Sequence, residues 1–464
     1  MTEVTRILSE FTAAIQWEAL PAEVRERTRF LLLDLVGNMV RGRHDAESTP
    51  PLLSAARALG FEGGRFGVFG DAGGWTAAGA AFINGVTAHS LDFDDTHAAG
   101  SLHPGAPVIP AALAAGEMVG ASGATVLAAI VAGYEVTCRV ALALPAGEHY
   151  ARGFHPTATC GAFGAAAAAA RIFGLDAAAT ASAFGIALSQ AAGSLQFLAN
   201  GAWTKRFQVG WAAMNGLAAA TLAREGFKGA AEAFEGKAGF LRAYAPNPVP
   251  ERALQGLGVE WELMRTAVKP YPSCRYGHAG IDAMLDLRAL HDLKPEEIER
   301  ITYGTSRSGM ILVGEPAAKR ADPRNVVDGQ FSGPFVLASA LATGAMGWDS
   351  YGNLFDPTIR GLLPKVVCEQ DDDVQAIFPE NMGGKVTVHA RGQVFQKMVT
   401  VPKGEPDNFL SEAELRAKFA GLVDSVLGAG PSAALAEAVL GLDRANEVAG
   451  LMRLSVPAIR LAGE

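Results

Sequence analysis

The pattern of apolar and polar positions changes part-way along the chain. Up to about residue 260 it reads as helix after helix, with alanine dominant, as in the run Ala165–Ala170. Alanine is the best helix former because it loses no side-chain rotamers on ordering. Few large residues interrupt these segments, so the helices are expected to approach one another closely. The stretch 65–74 (RFGVFGDAGG) is the exception and reads as a short strand and turn. From about Glu297 the period shortens: 300–306 (RITYGTS) alternates as a strand does, and 385–401 reads as two strands joined at Arg391-Gly392. Helix is expected between them around 333–344. Ser411 and Glu414 then form a capping-box pattern that reopens helix to about Arg453. The fold class expected is mainly α with an α+β part: a large all-helical domain (1–265 and 405–464) plus a smaller α+β lid domain (266–404).

Composition narrows the function classes. With 464 residues, 49% hydrophobic and 19% charged, the chain has enough apolar surface to offset the entropy of ordering, and more than one unit is expected. The net charge of −9 shows no basic stripe, which argues against nucleic acid as a partner. Four scattered cysteines form no CxxC pair, so neither a disulfide framework nor structural zinc is expected, and a reducing, cytoplasmic setting fits. The longest uncharged stretch, 177–204, could span a bilayer by length. It is mostly alanine with Gln190, Gln196 and Asn200, so a buried helix is the better reading and no membrane role is expected.

Chemistry gathers in four polar islands. The densest, 89–105 (HSLDFDDTHAAGSLHPG), holds Asp92, Asp94, Asp95, Thr96, His97 and His103. It suits acid–base chemistry, a divalent cation, or simply an acidic helix N-terminus. The others are His155 before Pro156, Lys205-Arg206 after the uncharged stretch, and 268–282 with Lys269, Cys274 and His278. A cation pair such as Lys205-Arg206 could merely complement a helix C-terminus, and a lone Cys274 is more readily an inert thiol than a nucleophile. GxGxxG, GxxxxGK[ST] and GxSxG motifs are absent from the sequence.

Taken together, 89–117 (HSLDFDDTH…LHPGAPVIPAALAAGE), 153–176 (GFHPTATCGAFGAAAAAARIFGLD), WTKR at 203–206, 269–282 (KPYPSCRYGHAGID) and 327–335 (VDGQFSGPF) resemble the MmgE/PrpD family. The resemblance runs in order from about residue 10 to 430. It implies a helical domain with an α+β lid, a homodimer, and a metal-independent pocket between the domains, with no cofactor. By resemblance, Asp92, His103, His155, Lys205 and Lys269 are catalytic, and Thr96, Arg206, Cys274 and His278 bind substrate. Two departures stand out: Gln208-Val209 where many relatives have His-Pro, and Phe335 where a tyrosine is common.

The reactions associated with this family share one difficulty, negative charge developing beside a substrate carboxylate as a proton leaves or joins the next carbon. Fixed cations and donors must stabilise it, each worth about 3–4 kcal/mol, and a histidine acid or base adds roughly 10²–10⁴-fold. The expectation is that His103 and His155 act as acid and base in an order the sequence leaves open. Lys205 and Lys269 would hold carboxylates, Asp92 would orient a histidine or take the proton, and Thr96 would hydrogen-bond a small polycarboxylate substrate. A 2-methylcitrate dehydratase-like hydro-lyase is ranked first, an epimerase of the iminodisuccinate type next and a cis-aconitate decarboxylase-like enzyme third. An Asp-rich Mg-dependent helical enzyme and a non-catalytic helical scaffold are remote alternatives.

Overall fold

In the computed structural model, which describes residues 3–457, the chain forms two compact units. One comprises the chain up to Ala267 and again from Glu412 onward, and the other is Val268–Ser411.

The first unit is built on long helices: α1 (Ala22–Asp45), α2 (Ala77–Ala88), α3 (Gly105–Val119), α4 (Gly123–Leu142), α5 (Pro156–Ile172), α6 (Ala177–Leu188) and α7 (Thr204–Arg224). Their starts are written locally. The side chains of Thr76, Ser122 and Asp176 accept from the backbone N–H of Gly79, Thr125 and Ala179, satisfying donors that a helix leaves open. The core is dense because glycine lets backbones meet. A Cβ on Gly164 would lie 1.8 Å from Thr137 Oγ1 and 2.6 Å from the Gly133 carbonyl, and one on Gly85 would lie 2.7 Å from Gly210 Cα. Thus α4 meets α5, and α2 meets α7, almost backbone to backbone.

Two expectations need correction here. The uncharged stretch 177–204 is not one helix: α6 ends at Leu188, and turns and a short 3₁₀ segment, Leu195–Ala199, follow. Among the described residues, the helix whose length and apolar character would suit a bilayer is α4, and 89% of its apolar window is buried inside the protein. It also encloses an ion pair of Glu135 with Arg139 at 2.8 Å, both side chains fully buried. The strand expected at 65–74 is β1 (Glu62–Phe66). It starts earlier because Trp75, after the glycine turn, pairs back onto both Glu62 and Phe66. A short antiparallel pair joins β2 (Thr96–His97) to β3 (Thr266–Ala267).

The second unit carries a four-stranded sheet of β4 (Ile298–Thr305), β5 (Val366–Gln370), β6 (Gly384–Ala390) and β7 (Gln393–Val399) in the order β5-β4-β6-β7. Strands β4 and β5 are parallel, and the other pairs are antiparallel. Arg391 and Gly392 join β6 to β7 with φ of 56° and 66°, the two positive values that a two-residue hairpin turn requires. Helices α8 (His278–His291) and α9 (Gly333–Thr343) share one core with the sheet, in which Ile281, Met284, Phe335 and Leu341 are buried with Ile301, Tyr303, Val386 and Val388. After β5, Asp371 caps the next helical turn and pairs with Lys385 of β6.

The chain then returns to the first unit in α10 (Glu412–Leu427) and α11 (Ala429–Leu440). Buried Lys418 of α10 fixes the return, pairing with Asp34 of α1 at 2.5 Å and donating to the Phe93 carbonyl at 2.9 Å. Its ammonium also lies 3.8 Å from the Phe93 ring centroid. Phe93 belongs to the first polar island, so the returning helix pins that loop.

Candidate active site

The loop between α2 and α3 carries the densest island, and its acidic and imidazole groups divide into two sets. Asp95 accepts from the Tyr134 hydroxyl at 2.7 Å and from the Gly105 N–H at 3.2 Å, tying the loop to α4 and α3. Burial and the neighbouring charge of Asp94 push its carboxyl up to about 8. His97 bonds buried Glu262 through Nε2 at 3.0 Å and receives the Gly100 N–H at Nδ1. These two groups hold the loop.

The remaining groups form a cluster. His89, at the C-terminal end of α2, bonds Asp94 Oδ2 through Nδ1 at 2.7 Å. His103 Nδ1 lies 3.2 Å from the same oxygen, in ion-pair range but outside hydrogen-bond geometry. Asp94 is completely buried, and its Oδ1 finds no hydrogen-bond donor among the described residues. Burial would raise this carboxyl, but the two imidazoles outweigh it and hold Asp94 well below the usual carboxylate range. Burial also drives His89 down to about 4, despite the attraction of Asp94. Near neutral pH the pair is therefore carboxylate and neutral imidazole, with the ring proton on Nδ1.

The His103 ring stands edge-on to His89 with centroids 4.6 Å apart, and His155 is stacked at 6.2 Å from His89. His155 immediately precedes α5 with extended backbone, the conformation that a following proline favours. Burial first, then the neighbouring His89 and Lys205, holds its imidazole well below its ordinary range. Lys205 Nζ donates to Asp92 Oδ1 at 2.7 Å, with 29% and 26% of the two side chains exposed. Burial lowers the Lys205 ammonium, but Asp92 and Asp94 outweigh it and the net direction is upward. Asp92 has a φ of 53°, a left-handed conformation that aspartate tolerates better than most residues and that the Lys205 contact repays.

The Lys205-Arg206 pair opens α7 and does not end a helix, contrary to the dipole-complement reading. A cation in a first helical turn opposes the dipole, so Asp92 is what holds Lys205 there. Arg206 turns to Ser48 Oγ at 3.1 Å. Thr96 is buried in β2, and its Oγ1 finds no hydrogen-bond partner among the described residues.

Asp92, His103, His155 and Lys205 are thus gathered within the first unit, with Arg206 beside Lys205 in the chain. Lys269, Cys274 and His278 belong to the second unit. Lys269 is buried beside Val268, whose N–H donates to the Gly404 carbonyl. The Cys274 N–H donates to the Gln330 carbonyl, and His278 opens α8 with Nε2 donating to the Ser273 carbonyl at 3.2 Å. His89 and Asp94 were outside the residues singled out from sequence as the site. The available signal was His89 five residues ahead of Asp94, just where a helix must end before the loop.

His89, Asp94 and His103 bring potential ligand atoms within 4.8 Å of one another, close enough for a cation. The donor set argues for another use, because Asp94 Oδ2 already accepts the His89 ring N–H. The three aspartates face three different partners: Asp92 is bound to Lys205, Asp94 faces two imidazoles and Asp95 holds Tyr134.

Profile matches cover nearly the whole chain, with the MmgE/PrpD N-terminal domain over residues 6–253 and the MmgE/PrpD C-terminal domain over residues 271–444. The chain belongs to the MmgE/PrpD family. Among its relatives is the "cis-aconitate decarboxylase-like protein oryM" of Aspergillus oryzae, 29% identical, with 97% of each chain covered. Cis-aconitate decarboxylase of Aspergillus terreus is 27% identical, covering 97% of this chain and 95% of its own. The human cis-aconitate decarboxylase is 32% identical over 63% of this chain and 62% of its own. The family is one of lyases, and these relatives are named decarboxylases rather than dehydratases.

Proposed function

We propose that this protein is a lyase for a small tricarboxylate, with loss of CO₂ from a cis-aconitate-like acid as its first reaction. In that reaction the bond from a methylene carbon to its carboxyl breaks and CO₂ departs. The electron pair shifts through the neighbouring double bond to the carbon beside a remaining carboxylate, and that carbon takes one proton. The observation that carries the reading is the gathering of two further imidazoles and a lysine around the buried Asp94–His89 pair. Lys205 supplies fixed positive charge toward the developing carboxylate-stabilised anion. His103, with its side chain 15% exposed and its Nδ1 facing Asp94, supplies the proton. The full-length relatives named for this reaction support the choice over a hydro-lyase.

The test is an NMR assay in D₂O with cis-aconitate, citrate, 2-methylcitrate and iminodisuccinate, which reads CO₂ loss, water loss and proton exchange together. Consumption of cis-aconitate with one deuterium in the product, unchanged after dialysis against a chelator, is the expected result. Water loss from 2-methylcitrate with no action on cis-aconitate would return the assignment to a hydro-lyase, and no reaction with any of the four would reject it.

A further inference from the structure

His155 is suspended from a single segment at both its backbone and its ring. Its N–H donates to the Gly193 carbonyl at 3.1 Å. Its Nδ1 lies 3.0 Å from Gln208 Oε1, and the Gln208 amide nitrogen donates to the Ser194 carbonyl at 2.9 Å. A backbone carbonyl can only accept, so the amide of Gln208 must present its NH₂ to Ser194 and its oxygen to the ring. An amide oxygen also only accepts, so His155 Nδ1 must carry a proton. The direction of the relay follows from chemistry and leaves one tautomer. Close packing holds the segment in place: a Cβ on Gly193 would lie 2.8 Å from the Ala158 Cβ and 3.3 Å from Gln208 Oε1. The Phe197 ring, edge-on at 5.3 Å between centroids, limits the imidazole further.

We propose that Gln208 is a positioning residue that fixes the proton of His155 on Nδ1, making Nε2 the proton acceptor of the site and leaving His103 as its donor. The assignment rests on the lyase reading above and resolves the order of acid and base that the sequence left open. A neutral His155 so held offers only the Nε2 lone pair. In turnover Nε2 takes the proton of the leaving carboxyl as CO₂ departs, and His103 gives one proton to the carbon that receives the electron pair, so one proton is taken up for each one released. The groups that face it are His89, His103 and Lys205, besides Gln208 itself, and burial above all keeps its ring neutral. His103, by contrast, points its Nδ1 at the Asp94 carboxylate.

The experiment uses full-length protein labelled with ¹⁵N-histidine, as wild type, Gln208→Leu and Gln208→Glu, with the His155 signals assigned through His155→Gln. Two-bond ¹H–¹⁵N spectra of the wild type should show His155 neutral with Nδ1 protonated and Nε2 bare. Gln208→Leu removes the acceptor, so the tautomers should mix and kcat should fall roughly 10–10³-fold with little change in KM. Gln208→Glu keeps an acceptor but adds charge, so the tautomer should persist while His155 protonates at higher pH and the acidic limb of kcat/KM moves up with it. A wild-type His155 carrying its proton on Nε2 would overturn the proposal, as would a Gln208→Leu variant with unchanged tautomer and pH profile. The spectra need no substrate, so they stand even where the choice of substrate fails.

Discussion

Asp94→Asn is the perturbation that reaches furthest into this site. The substitution keeps shape and removes one negative charge from a side chain that is completely buried. What it removes chemically is the acceptor that fixes the Nδ1 proton of His89 at 2.7 Å and the anion facing His103 at 3.2 Å. An asparagine can turn its NH₂ toward either ring, which favours the opposite tautomer of His89 and removes the anion that faces His103. Loss of such an orienting carboxylate costs about 10⁴ in kcat in a hydrolase triad, and roughly 10²–10⁴ is expected here, or about 3–5 kcal/mol. The native fold should change far less. Removing a buried charge relieves desolvation, which offsets a charge-assisted hydrogen bond worth about 1.5–3 kcal/mol. Steady-state kinetics on the polycarboxylate that the wild type consumes, beside a thermal melt, separates the two. The reasoning predicts a collapse of kcat with KM and melting temperature near the wild-type values. A variant that kept kcat within about threefold, far short of the expected loss, would refute it.

Three further outcomes follow from the framework around the site. Arg139→Met leaves Glu135 as an uncompensated buried charge and strips donors from the Gln255 and Glu260 carbonyls. Urea unfolding should show a loss of about 3–5 kcal/mol, and a loss near zero would mean that the pair is not sealed from water. Gly164→Ala drives a Cβ against Thr137 Oγ1 and the Gly133 carbonyl, so it should destabilise by about 1–3 kcal/mol or more. Gly147→Ala, with open space around its Cβ position, should be neutral or slightly stabilising in the same melts. Asp95 holds its proton to about pH 8 in the folded chain but releases it near pH 4 when unfolded. The unfolded state then binds fewer protons over that interval, so this group's contribution to stability falls as pH rises from about 4 to 8. Asp95→Asn should flatten that part of the stability profile relative to wild type, and parallel profiles would show that Asp95 is ionised in the fold.

Much of the fold was legible because its signals are local. Alanine runs, caps such as Thr76 and Ser122, and the Arg391-Gly392 turn act within a few residues of themselves. The break after Leu188 was not legible, because nothing in an uncharged alanine-rich stretch marks where tertiary packing turns the chain. The site was partly legible. Asp92, His103, His155 and Lys205 could be singled out as polar islands in apolar surroundings, and they cluster. Which aspartate does what could not be read, since Asp92, Asp94 and Asp95 are near neighbours in sequence whose partners come from α7, α2 and α4. The end of the helix at which Lys205 sits depended on the same missing information. Gln208 was visible as a departure from a familiar motif, but its meaning needed the Ser194 carbonyl that orients it. The ranking of hydro-lyase over carboxy-lyase had no residue behind it, and the named relatives favour the reverse order.

The central claim is that imidazoles held around Asp94, with Lys205 beside them, move the proton. Its most direct test is the turnover of His103→Ala and His155→Ala on the polycarboxylate that the wild type consumes, measured on variants whose melts match the wild type. The account predicts that each loses at least about 10² in kcat. Two folded variants that both turn over at the wild-type rate would contradict it.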